Sequence, residues 1–228
     1  MKTATIAFLV LLGCTTMFSC SPFVRVCQVG TATPMQTQDS QYVFENDTVK
    51  ISYSFWANHG ALTWTIVNKL DIPIYLNMQK SAYYRNSDTL GYWVADDGSS
   101  YRSAQASYYR DLDITKVITI PPGSSLKSDQ FYLDLSDNRK MPRTTESTVI
   151  HLRDKPKKNI HVRYANFGRE NSPLLFRNVL AISVVDEPDR EFLVENGFFV
   201  SKVSEMPLGD VRLEKPAFFD RRCFFIAM

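Results

Sequence analysis

From Thr48 to Phe55 the chain alternates without a fault, with Val49, Ile51, Tyr53 and Phe55 set against Thr48, Lys50, Ser52 and Ser54. A period of two buries one face of a β-strand and wets the other. The turn Asn58-His59-Gly60 follows, after which Leu62, Trp64 and Ile66 alternate with Thr63, Thr65 and Val67. Beyond Asn68-Lys69-Leu70-Asp71 a third run puts Ile72, Ile74, Leu76 and Met78 on one face. Three strands in succession predict a β-meander over residues 43–81. Its second turn has suitable chemistry, because Asn68 and Asp71 can bond nearby backbone and Pro73 fits where no ladder donor is needed.

The same signals recur downstream. Residues 116–120 and 128–135 read as strands on either side of Pro121-Pro122-Gly123-Ser124, and residues 148–152 and 159–164 flank the basic turn Arg153-Asp154-Lys155-Pro156-Lys157-Lys158. Residues 176–185 and 197–203 add two more, with one helical turn expected at 189–195 between them. The sum, about eight to ten strands, predicts an all-β protein, a two-sheet β-sandwich of immunoglobulin-like architecture. With 228 residues and 44% hydrophobic content, residues 42–228 suffice for one domain with its own core.

Ahead of that domain, Ile6 to Cys14 is an apolar run of nine residues, about half of what a membrane-spanning helix needs. It reads as the core of a signal peptide covering residues 1–19. Residues 28–41 are small and polar and read as a linker or a loosely held first strand, so residues 20–41 are expected to be the N-terminal segment that carries the body. Of four cysteines, Cys14 would leave with the signal peptide, and Cys27 and Cys223 stand near the two ends of what remains. In an exported chain such a pair is a candidate disulfide; the alternative is two separate thiols, with Cys223 buried in the apolar end Cys223-Phe224-Phe225-Ile226.

Thr15-Thr16-Met17-Phe18-Ser19-Cys20 resembles the lipobox of bacterial lipoproteins. That resemblance implies cleavage after Ser19, a diacylglyceryl thioether on Cys20 and an acyl chain such as palmitate on its amine. Two or three acyl chains hold a protein to a bilayer without a spanning helix. Residues 42–56, Leu90-Gly91-Tyr92-Trp93-Val94, Ile120-Pro121-Pro122-Gly123 and residues 172–183 resemble exported lipoproteins of Bacteroidetes-like bacteria, a family that brings an address and a fold class but no activity. In such proteins an acidic cluster just after the acylated cysteine marks export to the cell surface. Ser21 to Val26 has no acid, so the resemblance implies a periplasm-facing anchor on the outer membrane, with the cell surface as the alternative.

No arrangement of residues couples a nucleophile to a base. His59 lies in a turn, while His151 and His161 fall on neighbouring strands across the basic turn. Metal-ligand spacings, a phosphate loop and a nucleophile elbow are absent from the sequence, so no cofactor is expected. Acid pairs such as Asp96-Asp97 and Asp134 with Asp137 fit a remote carbohydrate-active enzyme, though both read first as turns. A net charge of +2 from dispersed side chains argues against a nucleic-acid partner. Residues 81–113 are rich in tyrosine among Ser, Asn and Arg, which points to a ligand or glycan surface around Tyr83, Tyr92, Trp93 and Tyr108, or else to a structural hairpin with a long insertion. Thr48 and Thr89, each in an Asp-Thr-apolar tripeptide, match a short O-glycosylation pattern of Bacteroidetes-like exported proteins. The basic turn at 153–158 is either solvated or set against anionic headgroups. The expected function is therefore a non-catalytic envelope lipoprotein that binds or scaffolds envelope proteins or glycans; the alternative is a fibre or adhesin subunit pairing through a displaceable strand such as residues 218–227.

Overall fold

A computed structural model describes residues 23–93, 116–133, 146–152, 155–184, 190–210 and 220–227, without the side chains of residues 150–152, 155–158 and 210. Fourteen strands are present among them; a 3-10 turn stands at Leu208–Asp210, and Arg190, just before the last long strand, is also 3-10 helical. The protein is an all-β, two-sheet sandwich. The smaller sheet is almost local in sequence. In it β2 (Gln36–Gln38), β3 (Gln41–Glu45), β4 (Val49–Ser54) and β5 (Ala61–Asn68) follow one another, and β9 (Ser125–Tyr132) closes the far edge.

The larger sheet has nine strands. Its path runs β10 (Glu146–Leu152), β11 (Lys155–Asn166), β13 (Glu191–Pro207), β12 (Leu175–Ser183), β6 (Ile74–Arg85) and β7 (Asp88–Gly91). β8 (Val117–Ile120) shares an edge of β6 with β7, while β1 (Phe23–Thr31) pairs with β13 on one side and with β14 (Cys223–Ala227) on the other. All the pairings within these ladders are antiparallel.

Four expectations change. The third run of the expected meander does not pair with the second: after Asn68 the chain crosses to the opposite sheet, and β6 pairs with β12. The segment read as a linker or a loosely held first strand contains β1, a strand that is central and firmly held, with Val24, Cys27 and Val29 fully buried. Of the helical turn expected at 189–195, Arg190 is 3-10 helical, but from Glu191 onward the chain is β13, extended and paired with β12. The strand total exceeds the expected range because β2, β3 and β7 lie outside the nine runs read as strands, while β1 and β14 enter that reading only as a loosely held first strand and a displaceable terminal one.

Asn68 explains why the crossing occurs where it does. Its buried side chain donates from Nδ2 to the carbonyls of Ile72 (2.9 Å), Ile120 (3.0 Å) and Pro121 (3.1 Å), and its Oδ1 accepts from the Leu70 amide (2.9 Å). One amide thereby fixes both passages between the sheets, β5 to β6 and β8 to β9, by satisfying carbonyls that leave their ladders there. The core between the sheets is aromatic. Phe198 of β13 has its ring 5.0 Å from Tyr53, 5.2 Å from Phe55 and 5.2 Å from Phe176, contacts that add to simple burial.

Candidate functional site

The end of the sandwich at Phe23 gathers several uncommon features. Phe23 lies opposite Pro207, Arg25 opposite Glu205, and Glu205 in turn opposite Arg163 of β11. Directly opposed residues share a face, so Arg25, Glu205 and Arg163 form one charged row. Arg25 Nε donates to Glu205 Oε1 at 2.6 Å, and both side chains are largely covered. The opposite face carries a second apolar cluster of Val24, Val26, Ile160, Val162, Met206 and Cys223. β1 is therefore covered on both faces.

The two thiols illustrate that double coverage. Cys27 pairs with Phe224, and Cys223 with Gln28. Cys27 and Phe224 belong to the core between the sheets, whereas Cys223 belongs to the cluster on the outer face. Both thiols are free and buried, so of the two alternatives the structure has the separate thiols and not the candidate disulfide: the residues are diagonal neighbours on adjacent strands, yet alternation sends their side chains to opposite faces. Burial, and then the nearby Cys223, push the Cys27 thiol well above its ordinary range; burial, and then Asp220, push Cys223 up to about 12. Neither has the lowered pKa that makes a cysteine reactive.

β14 is fastened along both edges. Besides its ladder with β1, His59 N donates to Phe225 O (2.7 Å), Phe225 N to Ala57 O (3.2 Å) and Phe55 N to Arg221 O (2.8 Å). Phe224 and Ile226 are buried in the core. The Asn58-His59-Gly60 turn, with positive φ at His59 and Gly60 as the sequence suggests, thus also receives the terminal strand. A Cβ at Gly60 would come within 2.9 Å of Leu133 and Phe224, so this position requires glycine for space as well as for φ.

A buried chain of polar groups spans the two sheets. Trp64 Nε1 donates to Tyr92 Oη (2.7 Å), Tyr92 Oη donates to Asn178 Oδ1 (2.6 Å), and Tyr53 Oη accepts from Asn178 Nδ2 (3.3 Å) and Asn196 Nδ2 (2.9 Å). All five residues are buried. Burial pushes the Tyr53 hydroxyl up to about 12, against the two amides that pull it down. Such a network costs little when its members satisfy one another, and it fixes one arrangement of the core. Asn178 and Asn196 went unnoticed in the sequence, where the first sits in an apolar run and the second precedes glycine like a turn residue.

That chain takes Tyr83 and Tyr92 out of the candidate ligand surface. Tyr83 and Tyr92 are core residues, because β6 resumes its ladder with β12 after an irregularity at residues 78–81 and turns directly into β7 after Arg85. Tyr83 stacks on Phe131 with ring centroids 5.2 Å apart. Trp93 is half-buried under Lys116, 5.0 Å from its ring. Tyr108 lies outside the described residues, as do Cys20, Asp96, Asp97, Asp134 and Asp137. Thr89 is exposed on β7, while Thr48 is half-buried in the turn before β4, where its amide donates to Asn46 Oδ1 (2.9 Å). Exposed His161 is paired with Val149, so the register does not set His151 directly opposite it. Among the described residues, no group of three or more His, Cys, Asp or Glu side chains could hold a metal ion. No protein-family model, no curated protein and no solved structure matches this chain.

Among the described residues no helix is long and apolar enough to cross a membrane. The Phe23 end is the candidate site: an exposed aromatic and a covered Arg-Glu pair at the start of β1, three residues after Cys20 in the sequence.

Proposed function

We propose that this protein is a non-catalytic envelope lipoprotein of the Bacteroidetes-like type, held by acyl chains on Cys20 at the periplasmic side of the outer membrane, with a rigid sandwich that binds or scaffolds other envelope components. The observation that carries the reading is the adjacency of the lipobox and the fold. Cys20 precedes by three residues a strand buried on both faces, so an acyl group there would join the bilayer to the body with almost no slack. The strand-exchange alternative draws no support from a terminal strand hydrogen-bonded along both edges.

Metabolic labelling with palmitate tests the anchor. The parent protein incorporates label and fractionates with membranes, and Cys20→Ala abolishes the label. A labelled Cys20→Ala protein, or an unlabelled parent, would remove the reading.

A further inference from the structure

Three loops meet at the end of the sandwich away from Phe23, and hydrogen bonds pin them to one another. Asn68 N donates to Ser124 O (3.0 Å) and Lys69 N to Thr48 O (3.0 Å), while Lys69 Nζ reaches Asn46 O (2.7 Å). The Asn68 side chain already holds the carbonyls of Ile72, Ile120 and Pro121. Ser124 N closes a four-residue turn on Pro121 O (3.1 Å), with Pro122 second and Gly123 third at φ 63°, the arrangement of a type II turn. The loops are thus held in one arrangement before any partner arrives. Their outermost residues are apolar: Ile72 leaves 45% of its surface exposed, and Pro73, Pro121, Pro122 and Gly123 are exposed as well. A Cβ at Gly123 would meet nothing within 4 Å, so the tip of the turn stands clear.

Backbone chemistry and charge narrow what such a surface can take. Pro73, Pro121 and Pro122 carry no N–H, and the carbonyls of Ile72 and Pro121 are turned inward to Asn68, so the patch offers a partner little hydrogen bonding. Proline rings presented in a fixed conformation pack on aromatic side chains with little loss of entropy. The rim is acidic. Residues 45–48, 69–73 and 121–124 contain Glu45, Asp47, Lys69 and Asp71 as their ionisable groups. Lys69 is paired with Glu45 (2.7 Å), and Asp47 and Asp71 are exposed. The β12 to β13 connection starts and ends at the same end, one to two strands from β6, and its sequence adds Asp186, Glu187, Asp189 and Arg190. Exposed carboxylates repel an anionic bilayer and a second acidic tip alike. β5 also separates the tip from the Asn58-Phe225 bridge near the Phe23 end by eight residues, about 25 Å, so a bilayer at Cys20 lies at the far end.

We propose that this tip is a protein-docking surface whose partner offers an aromatic-lined groove with basic side chains at its rim. Ile72, Pro121 and Pro122 fill the groove, and Asp47 and Asp71 meet the cations. The contact buries little area, so it is weak and exchanges quickly. This deepens the scaffold reading and rests on it for taking the partner to be a protein, while the surface itself owes nothing to acylation.

The test uses the full chain carrying Cys20→Ala, so that acylation plays no part, with two probes: N-acetyl-tryptophanamide, an aromatic without charge, and a tryptophan tripeptide flanked by arginines. Nuclear magnetic resonance signals of the Ile72 methyl groups and the Gly123 amide are expected to shift saturably in the millimolar range with either probe. Those of Leu193, 63% exposed on β13, should move by less than about a fifth as much. Joint Asp47→Asn and Asp71→Asn substitution should weaken the tripeptide about threefold or more and leave N-acetyl-tryptophanamide within about 1.5-fold. Ile72→Ser, read at the Gly123 amide, should weaken both about fivefold while the thermal melt stays with the parent's. Equal shifts at Leu193, an absence of saturation, or an equal loss of both probes in the Asp variant would each overturn the proposal. Tip shifts produced by raising the protein concentration alone, or by phosphatidylglycerol vesicles, would assign the surface to a second copy or to a bilayer and overturn it too. Failure of palmitate labelling in the parent would sink the anchor and leave this titration readable.

Discussion

β4 and β1 are both buried strands, but only one of them can be read from its sequence. β4 has its inner face in the core and its outer face half in water, so Val49, Ile51 and Tyr53 stand out against Lys50, Ser52 and Ser54. β1 lies between β13 and β14 with the sandwich core on one face and a second cluster on the other, so Val24, Val26, Cys27 and Val29 are all buried and no period of two survives. Alternation reports one-sided burial, not strand formation.

Four experiments press on that contrast before a fifth at which no change is expected. Removing residues 220–228 deletes the partner of β1 and takes Phe224 and Ile226 from the core. Two buried side chains plus a lost ladder amount to about 5 kcal/mol or more, most of a domain's stability, so near-ultraviolet circular dichroism should lose its tertiary signal. A truncated chain that melts like the parent would make the terminal pair an appendage. Next in size, Tyr53→Phe on β4 strips Asn178 and Asn196 of a buried partner and should cost about 2–4 kcal/mol in urea titrations. Tyr132→Phe, half-exposed on β9, should cost nothing measurable.

The matched pair Val29→Ala and Val49→Ala compares the two strands directly, since both side chains are fully buried. Each should lose about 1–3 kcal/mol. If Val29→Ala were silent, β1 would be the linker that its sequence suggests. Alkaline pH gives a smaller effect. Cys27, Cys223 and Tyr53 all have raised pKa values in the fold, so the unfolded chain loses its protons first. The stability they contribute is intact below the unfolded thiol value of about 9 and falls as pH climbs towards the folded values, by about 1–2 kcal/mol between about pH 8 and pH 9.5. Cys27→Ala should remove about half of that slope. No change at all is expected from a reductant: thermal melts with and without dithiothreitol should coincide, and a lower midpoint under reduction would reinstate the terminal disulfide.

The same distinction explains how far the sequence could be read. β4 and β5, the Asn58-His59-Gly60 turn and the β10–β11 hairpin follow from alternation and turn residues that lie close together along the chain. The crossing after Asn68 does not, because the carbonyls of Ile120 and Pro121 that hold its amide lie some fifty residues away. Tyrosine-rich composition was misleading for a similar reason. A tyrosine on a sheet surface and one in a buried hydrogen-bonded chain look alike until Asn178 and Asn196 are brought beside Tyr53 and Tyr92. At the Phe23 end Phe23, Arg25 and Arg163 lie far apart along the chain, and only the register of β11 on β13, and of β13 on β1, brings them to one end.

The pairing of β1 with β13 and β14 also orders events in time. The first described strand of the chain closes with the last, and at roughly 5–20 residues per second roughly 10–40 seconds of synthesis separate them. Until β13 is made, Val24, Cys27 and Val29 have no lasting partners, and until β14 follows, β1 is paired along one edge only. The smaller sheet can assemble β2 to β5 as they emerge, whereas the larger one has to wait for its final residues. A chain interrupted shortly before Cys223 would therefore carry nearly all of its core residues and still leave its first strand open along one edge, a ready template for association with another copy.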